Sequence, residues 1–522
     1  MALSQNDYAL RRRGTIIMLG FAIAEVLLHL YTNVFAGYGY FRDELYYVAC
    51  SRHLAAGYVD QPPLSSFILF ASIKIFGDSV FALRLLPAIT SGITVFLGGL
   101  IAKKLGGGPF AITLACLSIA IAPEFLGTNA IYSMNGFDWL FWSLGAYIVV
   151  LIMESDKAGN EKGRLWIWLG IVLGFGLLNK IDILWFGLSL FIGLLLTPQR
   201  KYLTTKWPYI AALIAFALFS PYVIWNLTHN LATLEFIHNA ASIKYSSQNP
   251  MTFISDTIKS TNTWSLPVWL AGIWYLIFNK EGKKFRLIGF IFVVTFLILI
   301  INWHSKAEYI APAFPIIFAA GGVMFERIAG HKWFAWTKYA MPSLVAIYGL
   351  LSLPFALPIL PVDSFIKYSA ALGVTPSSAE AQRLSDLPQW YADMFGWENM
   401  AATVSKVYAA LPPAEQRSTV VFGENYGEAG AIDFFRGKYQ LPRAICGHNN
   451  YWYWGPGDTT ATTIIVIGQT KEGLQKTFGS VEPAGFIVSD HAMPYESNLP
   501  IFICRKMNVP ISVKWPQVRF FI

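Results

Sequence analysis

Eleven apolar runs of about 16–24 residues fill most of the first 360 positions, at roughly 14–36, 82–102, 109–127, 137–153, 164–179, 182–197, 207–226, 263–279, 286–303, 309–328 and 338–360. A bilayer core about 30 Å thick takes about 20 apolar residues of helix, and lipid offers no partner to an open backbone. The runs therefore predict membrane-spanning helices, with those between 164 and 197 the shortest for the task. Composition agrees: only 13% of the 522 residues are charged and 55% are hydrophobic. A soluble domain carries about 25% charged residues. An ordinary soluble enzyme and a disordered chain are both excluded. Arg11-Arg12-Arg13 ahead of the first run resembles the start of a signal peptide. That run is about 20 residues long with no small-residue cleavage site before Tyr31, so it reads as a span.

The net charge of +8 is scattered in small groups and forms no single basic face, which argues against nucleic acid as a partner. The groups instead set a topology. With a cytoplasmic N-terminus, the inner loops hold Arg11-Arg12-Arg13; Lys103-Lys104; Lys157, Lys162 and Arg164; Arg200, Lys201 and Lys206; Lys280, Lys283, Lys284 and Arg286; and Arg327, Lys332 and Lys338. Every inner loop is then basic, as the positive-inside rule requires. The short outer turns hold Lys180 in one, Lys306 in another and none in 128–136. An odd number of spans places 361–522 outside.

Two outer segments are long. The first, 36–81, reads as one or two helices lying on the membrane surface, one over 44–58 and one over 64–76 after Pro62-Pro63. The second, 227–262, reads as polar and irregular. The chain thus divides into a membrane domain, 1–360, which includes the first outer loop, and a tail, 361–522. In the tail, strand-length runs at 418–422, 463–468, 486–489 and 501–504 alternate with helical patterns at 379–384 and 398–411, which predicts a small α/β domain. Cys446 and Cys504 would lie in an oxidising compartment and are free to pair there. The four cysteines show no metal-binding or redox spacing.

Ionisable residues beside spans are expensive, and here they collect on one face. Arg42-Asp43-Glu44, His53, Asp60 and Arg84 lie in or beside the first outer loop; Asp138 opens the fourth run; Lys180 and Asp182 share an outer turn; His304, Lys306, Glu308 and Tyr309 lie between the ninth and tenth runs. A carboxylate there can take a proton from an attacking hydroxyl or amine, and cations can stabilise charge on a phosphate leaving group. Read alone, an Arg-Asp-Glu run is more often a solvated helix start. Glu25 and His29, one turn apart in the first run, read as a pair inside the bundle. The run Gly423-Glu424-Asn425-Tyr426-Gly427-Glu428 reads equally as a turn or a binding loop, and His448 as a polar surface residue.

Tyr40-Phe41-Arg42-Asp43-Glu44-Leu45-Tyr46-Tyr47, Tyr58-Val59-Asp60-Gln61-Pro62-Pro63-Leu64, Phe76-Gly77-Asp78-Ser79 and Leu83-Arg84-Leu85-Leu86-Pro87 together resemble glycosyltransferase family 39. That family holds the protein O-mannosyltransferases and the aminoarabinose transferases, of GT-C fold. Lys306-Ala307-Glu308-Tyr309-Ile310-Ala311-Pro312-Ala313-Phe314-Pro315 is similar to its late Lys…Tyr…Pro…Pro element. The resemblance covers about 1–330 and implies a polytopic α-helical GT-C membrane protein of about 11 spans. Its activity would be inverting transfer of a sugar from a polyprenyl-phosphate donor to a lipid, glycan or protein acceptor at the outer face of the inner membrane.

It implies Asp43 as general base with Glu44 in support, and Arg84 and Lys306 at the donor phosphate; Lys180, in its outer turn, is a further cation for that phosphate. Arg42, Gln61, Asp138 and Tyr309 would contact substrate. Gln61 departs from the family, whose members often carry Lys or His there, so phosphate binding leans more on the other cations. No metal spacing and no nucleotide-binding motif is present; no cofactor is expected, and metal use differs among GT-C proteins. The rival reading is a transporter or lipid flippase with an extracellular domain, which predicts mid-bilayer charges and two related halves. The charges here lie at one rim and the sequence shows no repeat.

Overall fold

Each of the eleven apolar runs is helical in the computed structural model, which describes residues 5–155, 162–244, 249–303, 305–376 and 385–522. Among these residues seven helices are long and apolar enough to cross a membrane: Arg12–Phe35, Val80–Lys104, Met134–Ser155, Trp207–Thr228, Gly282–Ile301, Ala307–Ala329 and Lys332–Ala356. Two more become possible spans if bent pairs are joined, Pro109–Ala120 with Pro123–Asn129 (57°) and Ile183–Leu196 with Pro198–Thr204 (108°). The expected eleven full crossings are thus seven to nine by length. Pro123 and Pro198 each open the second helix of a bent pair, where their missing N–H and fixed φ are tolerated but the preceding helix cannot run through. Gly163–Asn179 and Thr263–Ile277 are apolar but shorter than the long spans. The protein is a multi-pass membrane protein.

The chain forms two compact units: Met1–Ala36, Phe81–Ile224 and Ser247–Leu360 in one, and Gly37–Val80, Trp225–Ser246 and Pro361–Ile522 in the other. The division expected at 360 is therefore redrawn. The first outer loop belongs with the tail, because Leu45, Tyr46, Ala49 and Cys50 share a core with Val421, Ile432 and Phe435.

In the membrane unit, helices Leu266–Ile277 and Phe314–Ala329 meet backbone to backbone. A Cβ on Gly321 would overlap the Val268 carbonyl oxygen, and one on Gly272 the Ile317 carbonyl. Small residues permit this approach, which supplies dispersion where water offers no drive. Gly321→Val should destabilise the detergent-purified protein by about 1–3 kcal/mol or more. Gly20→Val, whose Cβ meets nothing within 4 Å, should leave the melting temperature unchanged.

The other unit carries a five-stranded sheet of order β2-β1-β3-β5-β4, with β1 Thr419–Phe422, β2 Ala444–Ile445, β3 Thr463–Ile467, β4 Phe478–Ile487 and β5 Leu499–Met507. β1 pairs parallel with β2 and β3; β5 pairs antiparallel with β3 and β4. Helices Trp397–Ala409 and Tyr426–Tyr439 cover one face. The other is covered by shorter pieces, including Leu474, Ile511 and Trp515. Three expected strands are found close to their expected positions. The run at 486–489 proves to be the end of the longer β4, and two-residue β2 carries too little pattern to be read.

Cys446 follows β2 and Cys504 lies on β5, three strands across the sheet, and both are free. Strands about 4.8 Å apart put them beyond disulfide reach. The segment expected to be irregular, 227–262, is largely helical: Ala232–Asn239 runs into a π turn, Ala240–Lys244, and Pro250–Ser260 follows. The Asn249-Pro250 pair was the legible start signal; the Asn249 side chain accepts from Thr252 N at 2.9 Å and Pro250 occupies the first helical turn. The helical pattern at 379–384, His304 and the loop residues 156–161 lie outside the described residues.

Candidate functional site

The first outer loop builds its two expected helices as Arg42–Arg52 and Leu64–Phe76. The first is shorter than expected because Tyr58 folds back, its hydroxyl donating to the carbonyls of Cys50 (3.0 Å) and His53 (3.3 Å) at the helix end. At the other end, buried Glu44 accepts from the Phe41 N–H at 2.8 Å, the carboxylate half of a capping box. Arg42 is held by tail residues: its Nη1 donates to the Tyr495 hydroxyl at 2.8 Å and lies 3.8 Å from Asp393, whose carbonyl accepts the Arg42 N–H.

Asp43, between them, keeps 38% of its side chain exposed. One oxygen accepts from the Tyr426 hydroxyl at 2.8 Å and lies 3.4 Å from Arg42 Nε. The arrangement holds a carboxylate in place at a helix N-terminus, with part of it open to a reactant.

Tyr426 is the residue that sequence reading missed. It comes from the Gly423-to-Glu428 run, which proves to be a strand-to-helix turn after β1, where Asn425 caps the helix Tyr426–Tyr439 by accepting from Gly427 N and Glu428 N. A cap residue followed by Tyr was visible; its meeting with Asp43, 383 positions away, was not. His448, expected at the surface, is buried 4.6 Å from the Tyr426 ring, and burial pushes its imidazole down to about 3.

A second carboxylate belongs to this cluster. Tyr46, its ring centre 4.8 Å from that of Tyr426 and tilted by 34°, donates its hydroxyl to Asp60 at 2.9 Å. Burial pushes the Asp60 carboxyl up to about 6, against the Tyr46 hydrogen bond, which draws it down. Asp60 then favours the folded state while protonated, and this contribution fades as pH rises through about 6. Asp60→Asn, which keeps an acceptor for Tyr46 but no charge, should melt higher than the parent at pH 8 and close to it at pH 4. Melting curves across that range check this. Gln61, next in sequence, is buried with its Oε1 accepting from Ser65.

The remaining expected residues lie in the membrane unit. Asp138 is fully buried in Met134–Ser155. Lys180, in the turn before Ile183–Leu196, places its Nζ 2.9 Å from Asp182 and 3.7 Å from Asp138, and 5.8 Å from the centre of the Tyr309 ring. Glu124, which sequence reading passed over inside an apolar run, lies in the field of Glu308, Lys180 and Lys306. An ionisable residue inside an apolar run was itself a signal. Arg84 is buried in Val80–Lys104, and Lys306 is half-buried ahead of the turn Ala307–Tyr309. Glu25 and His29 pair as expected, 3.4 Å apart, with Ser91 donating to Glu25 at 2.8 Å.

Solved structures settle the architecture. The ArnT structure from Cupriavidus metallidurans in the apo state superposes with a TM-score of 0.61 over 92% of this chain and 97% of that one, at 12% identity. The chain has the GT-C fold. The same bacterial protein bound to undecaprenyl phosphate matches with a TM-score of 0.59, also over 92% and 97% and at 12% identity.

In sequence, the model of the dolichyl-phosphate-mannose-protein mannosyltransferase family matches residues 60–225 of this GT-C chain. That stretch contains Gln61, Arg84, Asp138 and Lys180, and leaves Asp43 and Lys306 outside. An undecaprenyl phosphate-alpha-4-amino-4-deoxy-L-arabinose arabinosyl transferase of Pseudomonas fluorescens is 22% identical over 290 residues, 52% of this chain and 48% of its own length. The GT-C chain thus spans about half of that relative. The family 39 resemblance read from the motifs stands with these matches.

Proposed function

We propose that this chain is an inverting glycosyltransferase that moves a sugar from a polyprenyl-phosphate donor to an acceptor on an envelope lipid, glycan or protein. The observation that carries the reading is Asp43: a partly open carboxylate at a helix start, one oxygen fixed by the Tyr426 hydroxyl at 2.8 Å. The fold, and relatives named for undecaprenyl-phosphate-linked sugar transfer, support it.

In the reaction, Asp43 takes the proton of the acceptor hydroxyl or amine as that atom bonds to the anomeric carbon. The bond from that carbon to the phosphate oxygen breaks, and polyprenyl phosphate leaves with the electron pair. A single displacement inverts the anomeric centre. Arg84, Lys180 and Lys306 are assigned to the charge growing on the phosphate. Glu44 holds the helix start that presents Asp43, and Arg42, Gln61, Asp138 and Tyr309 are assigned to substrate contact or its support. The donor brings its own leaving group, so no nucleotide or organic cofactor is required. Basic inner loops support an inner-membrane placement with the N-terminus cytoplasmic and residues 361–522 outside.

The test is release of undecaprenyl phosphate by the purified chain from a panel of undecaprenyl-phosphate sugars with envelope lipid acceptors. Acceptor-dependent release supports the reading. A folded protein that consumes no donor in the panel counts against it.

A further inference from the structure

Arg417, Arg443 and Trp454 line a cavity of about 410 Å³ in the sheet-bearing unit, walled by the turn Gly455-Pro456-Gly457-Asp458. Gly455 and Gly457 adopt φ of +85° and +70°, conformations that side chains resist, so the turn depends on them. A Cβ on Gly457 would already press on Ile445 at 3.2 Å. The cavity therefore has a specified wall.

Its polar lining is unbalanced toward positive charge. The Arg417 Nε makes a long 3.5 Å contact with the Pro413 carbonyl, and Arg443 Nη2 lies 3.5 Å from His53 Nε2. Among the described residues neither guanidinium forms an ion pair. Asp458 is the one acidic lining residue, and its Oδ1 accepts from Thr460 N and Oγ1 at 2.9 and 2.7 Å. An indole edge or face, two donor forks and a carboxylate are together the chemistry that grips a sugar ring: apolar contact for its C–H face, directed bonds for its hydroxyls, and cations for an anionic substituent.

The cavity is tied to the proposed catalytic helix. His53, the residue that ends Arg42–Arg52, stacks on Trp454 with ring centres 4.3 Å apart and planes 17° apart. Asp43 lies at the opposite end of that helix. Ten residues of helix at 1.5 Å each separate the two ends by about 15 Å. That is a length an acceptor of several sugar rings spans, and remote binding of a non-reacting part of the acceptor would help to hold the reacting group at Asp43.

We propose that this cavity is a subsite for an anionic saccharide, a sugar ring carrying phosphate or carboxylate, within the acceptor. The proposal rests on the transferase reading for its purpose but not for its test. Isothermal titration of the full-length protein in detergent, without donor, compares glucose 6-phosphate, glucuronate, glucose and inorganic phosphate. Both charged sugars should bind, with glucose and inorganic phosphate at least tenfold weaker. Arg417→Ala/Arg443→Ala should weaken the charged sugars at least tenfold with an unchanged melting temperature. If that variant fails to fold, exposed Arg417→Glu alone serves, with the same loss expected. Charged sugars that bind no better than inorganic phosphate, no binding at all, or binding indifferent to the arginines would overturn the proposal. Because no donor is present, transfer without saccharide binding overturns only the subsite. Saccharide binding without transfer counts only against the transferase reading.

Discussion

Asp43→Asn should abolish sugar transfer while leaving the protein folded. The amide is nearly the size of the carboxylate and can still accept the Tyr426 hydroxyl, so the contact that fixes residue 43 survives. What it loses is the capacity to take a proton at neutral pH. General-base catalysis contributes about 10²–10⁴-fold, and a loss in that range should appear in the rate of transfer, with donor binding unchanged. Tyr426→Phe should do less, since it frees the carboxylate without removing it, and Glu44→Gln less again, because an amide oxygen can still accept from Phe41 N. The order Asp43, Tyr426, Glu44 is the signature of a base with a positioning partner. Near-normal transfer by Asp43→Asn would remove it from the mechanism. Equal losses of melting temperature and activity would instead mark Asp43 as a structural helix start.

The same residues show where sequence was and was not legible. Apolar run length located the long apolar helices among the described residues, because lipid imposes that constraint one segment at a time. The breaks at Pro123 and Pro198 were written in the sequence too, but hydropathy averaged over them. Strands β1, β3 and β5 were visible as apolar runs of the right length. Hidden was what depends on tertiary meeting: the first outer loop sharing a core with the tail, and Tyr426 reaching Asp43. Hydrophobic pattern says that Leu45, Tyr46 and Ala49 are buried, but not against what. The motif around Asp43 therefore pointed to chemistry without its partner, and the turn at Asn425 was seen as a turn without its purpose.

Lys180→Met tests the membrane unit's charged cluster in the same spirit. The ammonium lies against Asp182 and within reach of fully buried Asp138, so one cation serves two buried carboxyl groups. Removing the lysine leaves two carboxylates in a place where charge is poorly solvated, and stripping one partner from a buried pair costs about 3–5 kcal/mol. The melting temperature in detergent should fall sharply, and transfer with it. That first result does not separate a structural lysine from one that also meets the donor phosphate.

The double change Lys180→Met/Asp182→Asn separates them. It removes the Asp182 carboxylate together with the ammonium that faced it and should recover at least half of the lost stability, Asp138 remaining unpaired. If Lys180 also stabilises the leaving phosphate, transfer stays about 10²-fold or more below the parent even as the protein regains its stability, because no neutral pair restores a cation at that position. Transfer that recovers in step with stability would confine Lys180 to holding Asp138 and Asp182. Stability that does not recover would mean that the ion pair is not what the substitution broke.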